Sequence, residues 1–154
     1  MKHLFKTSFE LPLPLPDVFE FFASAHNLEK ITPPEMQFRL LKPDPIDMKM
    51  GTEIDYSLRI MGLPVTWRSL ISRWEPPHAF CDEQLRGPYA LWVHTHLFDA
   101  TTRGTLIRDS VEYALPFSPF GEVGYFFVRA QLKKIFAFRE KAIREALLPG
   151  AGLK

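Results

Sequence analysis

The sequence predicts an α+β fold in which about seven antiparallel strands form one curved sheet around a long C-terminal helix, with two short helices after the first strand. Three observations predict it. Short segments that alternate apolar and polar residues recur as far as residue 115. Turn residues separate most of them by short links, which favours antiparallel neighbours in one sheet. The last segment then has no proline between Pro119 and Pro149, as expected of a long helix.

The length and composition indicate a folded chain of one domain. The 154 residues fit a domain of about 100–150 residues, and we expect residues 1–149 to form it and residues 150–154 to be a tail. Fourteen prolines are many for this length, but 46% hydrophobic and 14% aromatic residues exclude disorder as the main state.

Charge and cysteine content limit the classes of binding partner and the cellular compartment that we expect for the protein. The formal net charge of +1 gives no general field that would attract nucleic acid. The sequence has no signal-peptide pattern and no run of about 18–20 apolar residues, so we expect no transmembrane segment. The single cysteine, Cys81, excludes a disulfide framework. We therefore expect a cytoplasmic protein.

The first elements follow from parity and proline spacing. Phe5, Phe9 and Leu11 share one parity in the strand predicted for His3–Leu11. Prolines end that strand, and Pro16 suits the first turn of a helix because it lacks an N–H group. A short amphipathic helix over Asp17–Ala25 and a second turn around Asn27–Ile31 complete this part.

The remaining strands and the last helix follow in order. Alternation and turn residues predict strands at Met36–Leu41, Thr52–Met61, Val65–Trp74, Ala79–Leu85, Tyr89–Phe98 and Thr105–Leu115. The long helix is predicted from Ser118, as N-cap, to Leu147, with Pro119 in its first turn. Its apolar residues form a broad band facing the sheet: Val123, Phe126, Phe127, Ala130, Ile135, Phe136, Phe138, Ile143 and Leu147.

Two sequence motifs accompany this order of elements: Trp74-x-Pro76-Pro77-x-x-Phe80-x-Asp82-x-Gln84, and Gly87-Pro88-Tyr89 leading into Trp92-x-His94-x-His96-x-Phe98. Together with the order of elements, these motifs resemble those of the START-like helix-grip superfamily. More narrowly, the chain is similar to SRPBCC domains related to polyketide cyclases and to birch-pollen-allergen-like proteins. The resemblance implies a cavity between sheet and helix that holds a hydrophobic or amphipathic molecule such as a lipid, isoprenoid, aromatic or polyketide-like compound. It implies no cofactor.

Charge parity sorts the strand faces independently of that resemblance. Arg108 and Glu112 assign their parity to solvent, which turns Asp109 inward. In the neighbouring strands we favour the parity that places Asp82 and His94 on the same inner face. Both parities of the strand that carries His94 are rich in apolar residues, and a one-residue slip would reverse the assignment.

The inward parity gives a list of candidate site residues. Apolar walls with a few convergent polar groups are typical of ligand sites. The predicted ligand-binding residues are Tyr56, Trp67, Phe80, Asp82, Gln84, Trp92, His94, His96, Phe98, Ile107, Asp109, Tyr113 and Phe127.

Several roles remain open for the inner histidines and acids. They are a buried network that holds the sheet, contacts to a ligand, or a general acid–base pair with His94, His96 and Asp109 as candidate catalytic residues. The last role would suit a cyclase or dehydratase. A metal site is not expected, because two histidines with distant acids lack a third clustered ligand.

The outer face of the sheet offers a different class of function. Leu91, Val93 and Leu97 fall on the outward parity, which suggests a protein-interaction surface and a possible homodimer.

Overall fold

The computed structural model describes residues 1–42, 46–117 and 120–148. The chain begins with β1 (Lys2–Leu11), α1 (Leu15–Phe22), α2 (Asn27–Lys30), a 3-10 turn (Pro34–Met36) and β2 (Arg39–Leu40). It continues with β3 (Glu53–Ile60), β4 (Leu63–Glu75), β5 (Ala79–Arg86), β6 (Leu91–Thr101) and β7 (Gly104–Ala114), then a 3-10 turn (Phe120–Gly124) and α3 (Tyr125–Leu147). Within these residues no helix is both long and apolar enough to cross a membrane.

The seven strands form one antiparallel curved sheet in the order β1-β7-β6-β5-β4-β3-β2. The predicted fold class is therefore confirmed. Met61 and Gly62 form the two-residue turn between β3 and β4, and both have the positive φ angles that such hairpin turns use. β1 is an edge strand of the sheet and pairs with β7 along its whole length.

Two predicted elements differ from the structure. The strand expected at Met36–Leu41 is only Arg39–Leu40, because Pro33 and Pro34 favour a 3-10 turn and Gln37 after it has a left-handed backbone, φ 47°. The long helix starts at Tyr125, later than expected, and the predicted cap at Ser118 and Pro119 lies outside the described residues.

A close backbone approach precedes the long helix. The Gly121 amide donates a hydrogen bond to the Phe117 carbonyl at 2.9 Å. A Cβ atom at Gly121 would lie 1.8 Å from the Pro116 carbonyl oxygen, so only glycine fits there. This tight turn uses the residues that the sequence suggested would extend the helix.

The hydrophobic core has two parts. The larger part lies under α1, where Phe19 and Phe22 pack their rings against Phe98. The smaller part lies under α3 and includes Tyr113 and Phe136.

The parity assignments for β5 and β6 are correct. The register pairs Asp82 with His94 and His96 with Asp109, so these residues share the inner face. Leu91, Val93 and Leu97 take the opposite parity, on the outer face, and each is partly exposed. The homodimer proposed for that face stays a prediction.

Cys81 also lies on the outward parity of β5. Its side chain is nevertheless buried, 7% exposed, and the Thr95 hydroxyl lies 3.7 Å from its Sγ atom as a hydrogen-bond donor. Burial raises the pKa of the Cys81 thiol.

Candidate functional site

A cavity of about 140 Å³ lies between the inner sheet face, α3 and the segment that contains α1 and α2. Its wall is mainly apolar, with a polar region contributed by β5 and β6. The described lining residues are Phe21, Phe22, Ser24, Ala25, Asn27, Leu28, Ile31, Thr32, Met36, Phe38, Met48, Ile54, Tyr56, Leu58, Ile60, Trp67, Ser69, Ile71, Phe80, Asp82, Tyr89, Trp92, His94, His96, Gln131, Leu132, Ile135, Phe136 and Arg139.

More than half of the predicted ligand-binding residues lie on this wall. They are Tyr56, Trp67, Phe80, Asp82, Trp92, His94 and His96. All seven come from strands β3 to β6, on the parity that was predicted to face inward. Trp67 is at the centre of the aromatic group, stacked on Tyr56 at 5.9 Å and edge-on to Trp92 at 5.3 Å between ring centroids.

Five predicted residues lie on the inner face of the sheet but not on the cavity wall. Phe98, Ile107 and Tyr113 are fully buried in the core, with no exposed surface. Gln84 is held by the chain itself, because its side-chain amide donates to the Tyr89 carbonyl and accepts from the Tyr89 N–H. Asp109 lies behind the two histidines, 3% exposed.

The prediction for Phe127 is wrong. Phe127 is 71% exposed to solvent. Two nearby apolar residues are exposed as well, Val123 (81%) and Phe126 (77%). The residues of α3 that do line the cavity begin one turn later, at Gln131. The reason is the face of the helix: Tyr125 and Val128 of the same turn pack against the sheet, and Phe127 points away from it.

Five cavity-lining residues that are absent from the predicted list come from α3. Gln131, Leu132, Ile135, Phe136 and Arg139 line the cavity from α3. Their spacing of one, three, one and three residues is that of a single helix face, so helical periodicity was the available signal. Arg139 was missed because a charged residue was expected on the solvent side.

Four inner-face side chains, Asp82, His94, His96 and Asp109, form what we call the His–Asp cluster. His94 Nε2 lies 2.8 Å from Asp109 Oδ1, and His96 Nε2 lies 2.7 Å from Asp82 Oδ2. The two imidazole rings stack with their centroids 3.7 Å apart. His96 Nδ1 is 3.1 Å from Asp109 Oδ1, but the angle is unfavourable and this buried nitrogen has no hydrogen-bond partner among the described residues.

Burial and mutual contacts shift the pKa values within the cluster. Burial would raise the pKa of both Asp82 and Asp109, but hydrogen bonds from the histidines and their charges lower both values overall. Burial lowers the pKa of His94, and the neighbouring His96 lowers it further. For His96 burial would lower the pKa, but the two neighbouring carboxylates of Asp109 and Asp82 outweigh burial and raise it. Both carboxyl groups are therefore ionised at neutral pH.

Two buried N–H groups of the cavity wall lack acceptors. Trp67 Nε1 and Arg139 Nε have no hydrogen-bond partner in the described part of the chain. Trp67 is only 6% exposed, and the Arg139 guanidinium lies 5.1 Å from the centroid of the Phe136 ring. Burying an N–H donor without an acceptor costs about 1–3 kcal/mol. These two donors are therefore the places where a bound molecule would gain most from an acceptor atom.

The curved sheet, the long helix and the cavity between them together define a helix-grip fold. No family model matches the chain, and no curated protein matches it. Several solved structures do match the chain. The protein TTHA0849 from Thermus thermophilus is similar at 16% identity and a TM-score of 0.77, over 97% of this chain and 99% of that one.

Two further structures specify the fold type. A START superfamily protein from Mycobacterium smegmatis matches at 10% identity and a TM-score of 0.70, over 94% of this chain and 96% of that one. Major latex-like protein 151 from Panax ginseng matches at 14% identity and a TM-score of 0.67, over 96% and 99%. The chain therefore has the START/SRPBCC fold, as its sequence motifs predicted.

Proposed function

We propose that the chain binds a small amphipathic molecule in the cavity, with an apolar ring or short chain against the aromatic wall and a hydrogen-bond acceptor at its polar end. The observation that carries the proposal is an apolar cavity whose wall contains two buried N–H donors without acceptors among the described residues. Apolar walls with a few convergent polar groups are characteristic of small-molecule sites.

The cavity volume limits the size of the apolar part. A cavity of about 150 Å³ is known to accommodate benzene, and this cavity has about 140 Å³. A single aromatic ring or an alkyl group of similar size therefore fits without movement of the wall. A long lipid would require displacement of the segment that contains α1 and α2.

The donors define the polar end. Trp67 Nε1 and Arg139 Nε both donate, so the ligand group opposite them must accept. A carboxylate would gain most, because hydrogen bonds to charged groups contribute about 1.5–3 kcal/mol. Burial and the nearby Asp82 charge raise the pKa of Tyr56, which keeps its hydroxyl neutral and available to hydrogen-bond Ser69 at 3.3 Å. The favoured ligand is thus a one-ring or short-chain carboxylic acid.

Displacement of a fluorescent apolar dye, followed by native mass spectrometry, tests this proposal. The probes are phenylpropionate and the corresponding uncharged alcohol, 3-phenylpropanol. We expect the acid to bind more tightly, and Trp67→Phe and Arg139→Met each to weaken its binding by about 5–100-fold while changing that of the alcohol less.

Arg103→Met is the matched control, because Arg103 is 84% exposed and distant from the wall. It should bind the acid as the unmodified chain does. A chain that binds neither the dye nor either probe would overturn the proposal. Equal affinity for acid and alcohol would overturn the preference for a carboxylate, because the alcohol oxygen also accepts hydrogen bonds but carries no charge.

A further inference from the structure

We propose that Asp82, His94 and His96 bind one divalent transition-metal ion at the wall of the cavity. One potential ligand atom from each residue lies within 4.8 Å of the other two. Asp82 Oδ2 is 2.7 Å from His96 Nε2 and 3.9 Å from His94 Nδ1. The third clustered ligand that two histidines on one strand require is therefore present, supplied by the adjacent strand.

The sheet holds these three side chains in place. His94 and His96 alternate along β6, so they project from the same face, and Asp82 is the register partner of His94 on β5. Backbone hydrogen bonds on both strands set the positions of all three Cα atoms. Ligands placed on strands are more precisely positioned than ligands on loops.

The distances need only a small adjustment to suit a metal ion. Bonds of about 2.0–2.2 Å from histidine nitrogen and carboxylate oxygen place tetrahedral ligand atoms about 3.3 Å apart. The two Asp82 Oδ2 distances, 2.7 and 3.9 Å, lie on either side of that value, so a movement of the carboxylate by about 1 Å from His96 toward His94 would make them similar. The two histidine nitrogens lie within 4.8 Å of each other. The Asp82 side chain is 21% exposed and faces the cavity, so it has room for this shift.

Asp109 supplies the support that metal-binding histidines usually have. A histidine that binds a metal through one nitrogen commonly donates its other N–H to a carboxylate. Asp109 Oδ1 lies 2.8 Å from His94 Nε2 and 3.1 Å from His96 Nδ1, the two nitrogens that face away from Asp82. One buried carboxylate thus contacts both rings and leaves His94 Nδ1 and His96 Nε2 for the ion.

Charge and ligand type indicate the class of ion. Two imidazoles and one carboxylate suit zinc, iron, cobalt or nickel, whereas magnesium and calcium prefer sites built from oxygen alone. With neutral imidazoles, the carboxylates of Asp82 and Asp109 bring two negative charges that a divalent ion balances. All three ligand residues line the cavity, so the remaining coordination position faces the space where a small molecule would bind.

Zinc binding to the purified chain, first dialysed against a chelator, tests the proposal. Competition with a chromophoric chelator should give one Zn²⁺ per chain. Asp82→Asn, which conserves shape, should lower the affinity by more than about 100-fold, and Asp109→Asn by about 10–100-fold. His78→Gln is the matched control: it removes an exposed imidazole outside the cluster and should leave the affinity unchanged.

A second measurement identifies the ligand atoms directly. With ¹⁵N-labelled histidine, zinc should shift the nitrogen resonances of His94 Nδ1 and His96 Nε2, while the opposite nitrogens keep their protons. Circular dichroism and urea denaturation verify that each variant is folded, and His96→Gln replaces any variant that is not.

The proposal is overturned if the unmodified chain binds no zinc at a tenfold molar excess. It is equally overturned if Asp82→Asn and His96→Gln are folded and retain the affinity of the unmodified chain. Dye displacement measured in excess chelator reports on the small-molecule site without metal, so the two proposals can fail independently.

Discussion

Charged pairs on the two faces of the sheet have similar geometry and very different surroundings. On the inner face, His94 and Asp109 are 2.8 Å apart, with side chains only 6% and 3% exposed. On the outer face, Arg73 and Glu75 are 2.6 Å apart, with side chains 47% and 56% exposed. Interatomic distance is therefore a poor guide to what each pair contributes to stability.

Solvent explains the difference. Water screens an exposed pair and solvates either partner when the other is removed, so such pairs contribute about 0–1 kcal/mol. A buried pair has already lost its hydration, and removal of one partner leaves the other without compensation. The following predictions, all for protein kept in chelator, run from the largest expected loss of stability to the smallest.

Asp109→Ala should have the largest effect. It removes the carboxylate that His94 and His96 both contact, and we expect the free energy of unfolding to fall by about 3–5 kcal/mol. Urea denaturation followed by circular dichroism measures this. If the alanine variant does not fold, Asp109→Asn gives the same test with a smaller loss in the free energy of unfolding. A loss below about 1 kcal/mol would mean that the cluster is solvated in solution.

Asp82→Ala should cost less, about 1–3 kcal/mol, although Asp82 accepts an equally short hydrogen bond from His96. The reason is that its side chain is 21% exposed to the cavity, so water can replace it there. The same urea measurement applies. A loss larger than that of Asp109→Ala would contradict the assignment of Asp82 to the cavity side and Asp109 to the interior.

Asp55→Asn tests the outer face and should cost roughly a fifth of the Asp109→Ala loss. The hydrogen bond from Arg68, at 2.7 Å, lowers the pKa of Asp55 below its usual 3.8. The stability that this shift contributes is present above pH 3.8 and is lost as the pH falls through the lower value of the folded state. The difference between the unmodified chain and the variant should therefore vanish in acid, as urea titrations at neutral and acidic pH will reveal.

Asp99→Asn should have the smallest effect. The carboxylate pairs with Arg108 on the outer face, where both side chains are about half exposed. We expect the free energy of unfolding to change by less than about 0.5 kcal/mol. Added salt should not alter the comparison with the unmodified chain. A loss comparable to that of Asp82→Ala would show that exposure does not control these energies.

The residues that lie on the inner face of the sheet could be predicted from the sequence, because side chains alternate between the two faces along a strand. The charges of Arg108 and Glu112 fixed the parity of β7, and that placed Asp109 inside. The favoured parity of the neighbouring strand β6 then placed His94 and His96 on the same face as Asp109. The distances were not accessible, since they depend on the register of β5, β6 and β7, which alternation along a single strand does not fix.

The helical contributions were harder to predict for physical reasons. Phe127 belongs to the apolar band of α3, but in the first turn of that helix Tyr125 and Val128 face the sheet and Phe127 faces solvent, so apolar character alone misplaced it. Phe38 and Met48 reach the wall from segments without regular periodicity. Their positions depend on tertiary packing, which local pattern does not encode.

The buried thiol on the outward parity of β5 allows local opening at the centre of the sheet to be measured by chemical labelling. Cys81 is the one cysteine of the chain, so an alkylating reagent can report on a single site. Because the side chain is 7% exposed and its pKa is raised, modification must wait for β5 to separate locally from its neighbours. The labelling rate therefore measures how often the strand that carries Asp82 opens, and a ligand or ion held there should slow it.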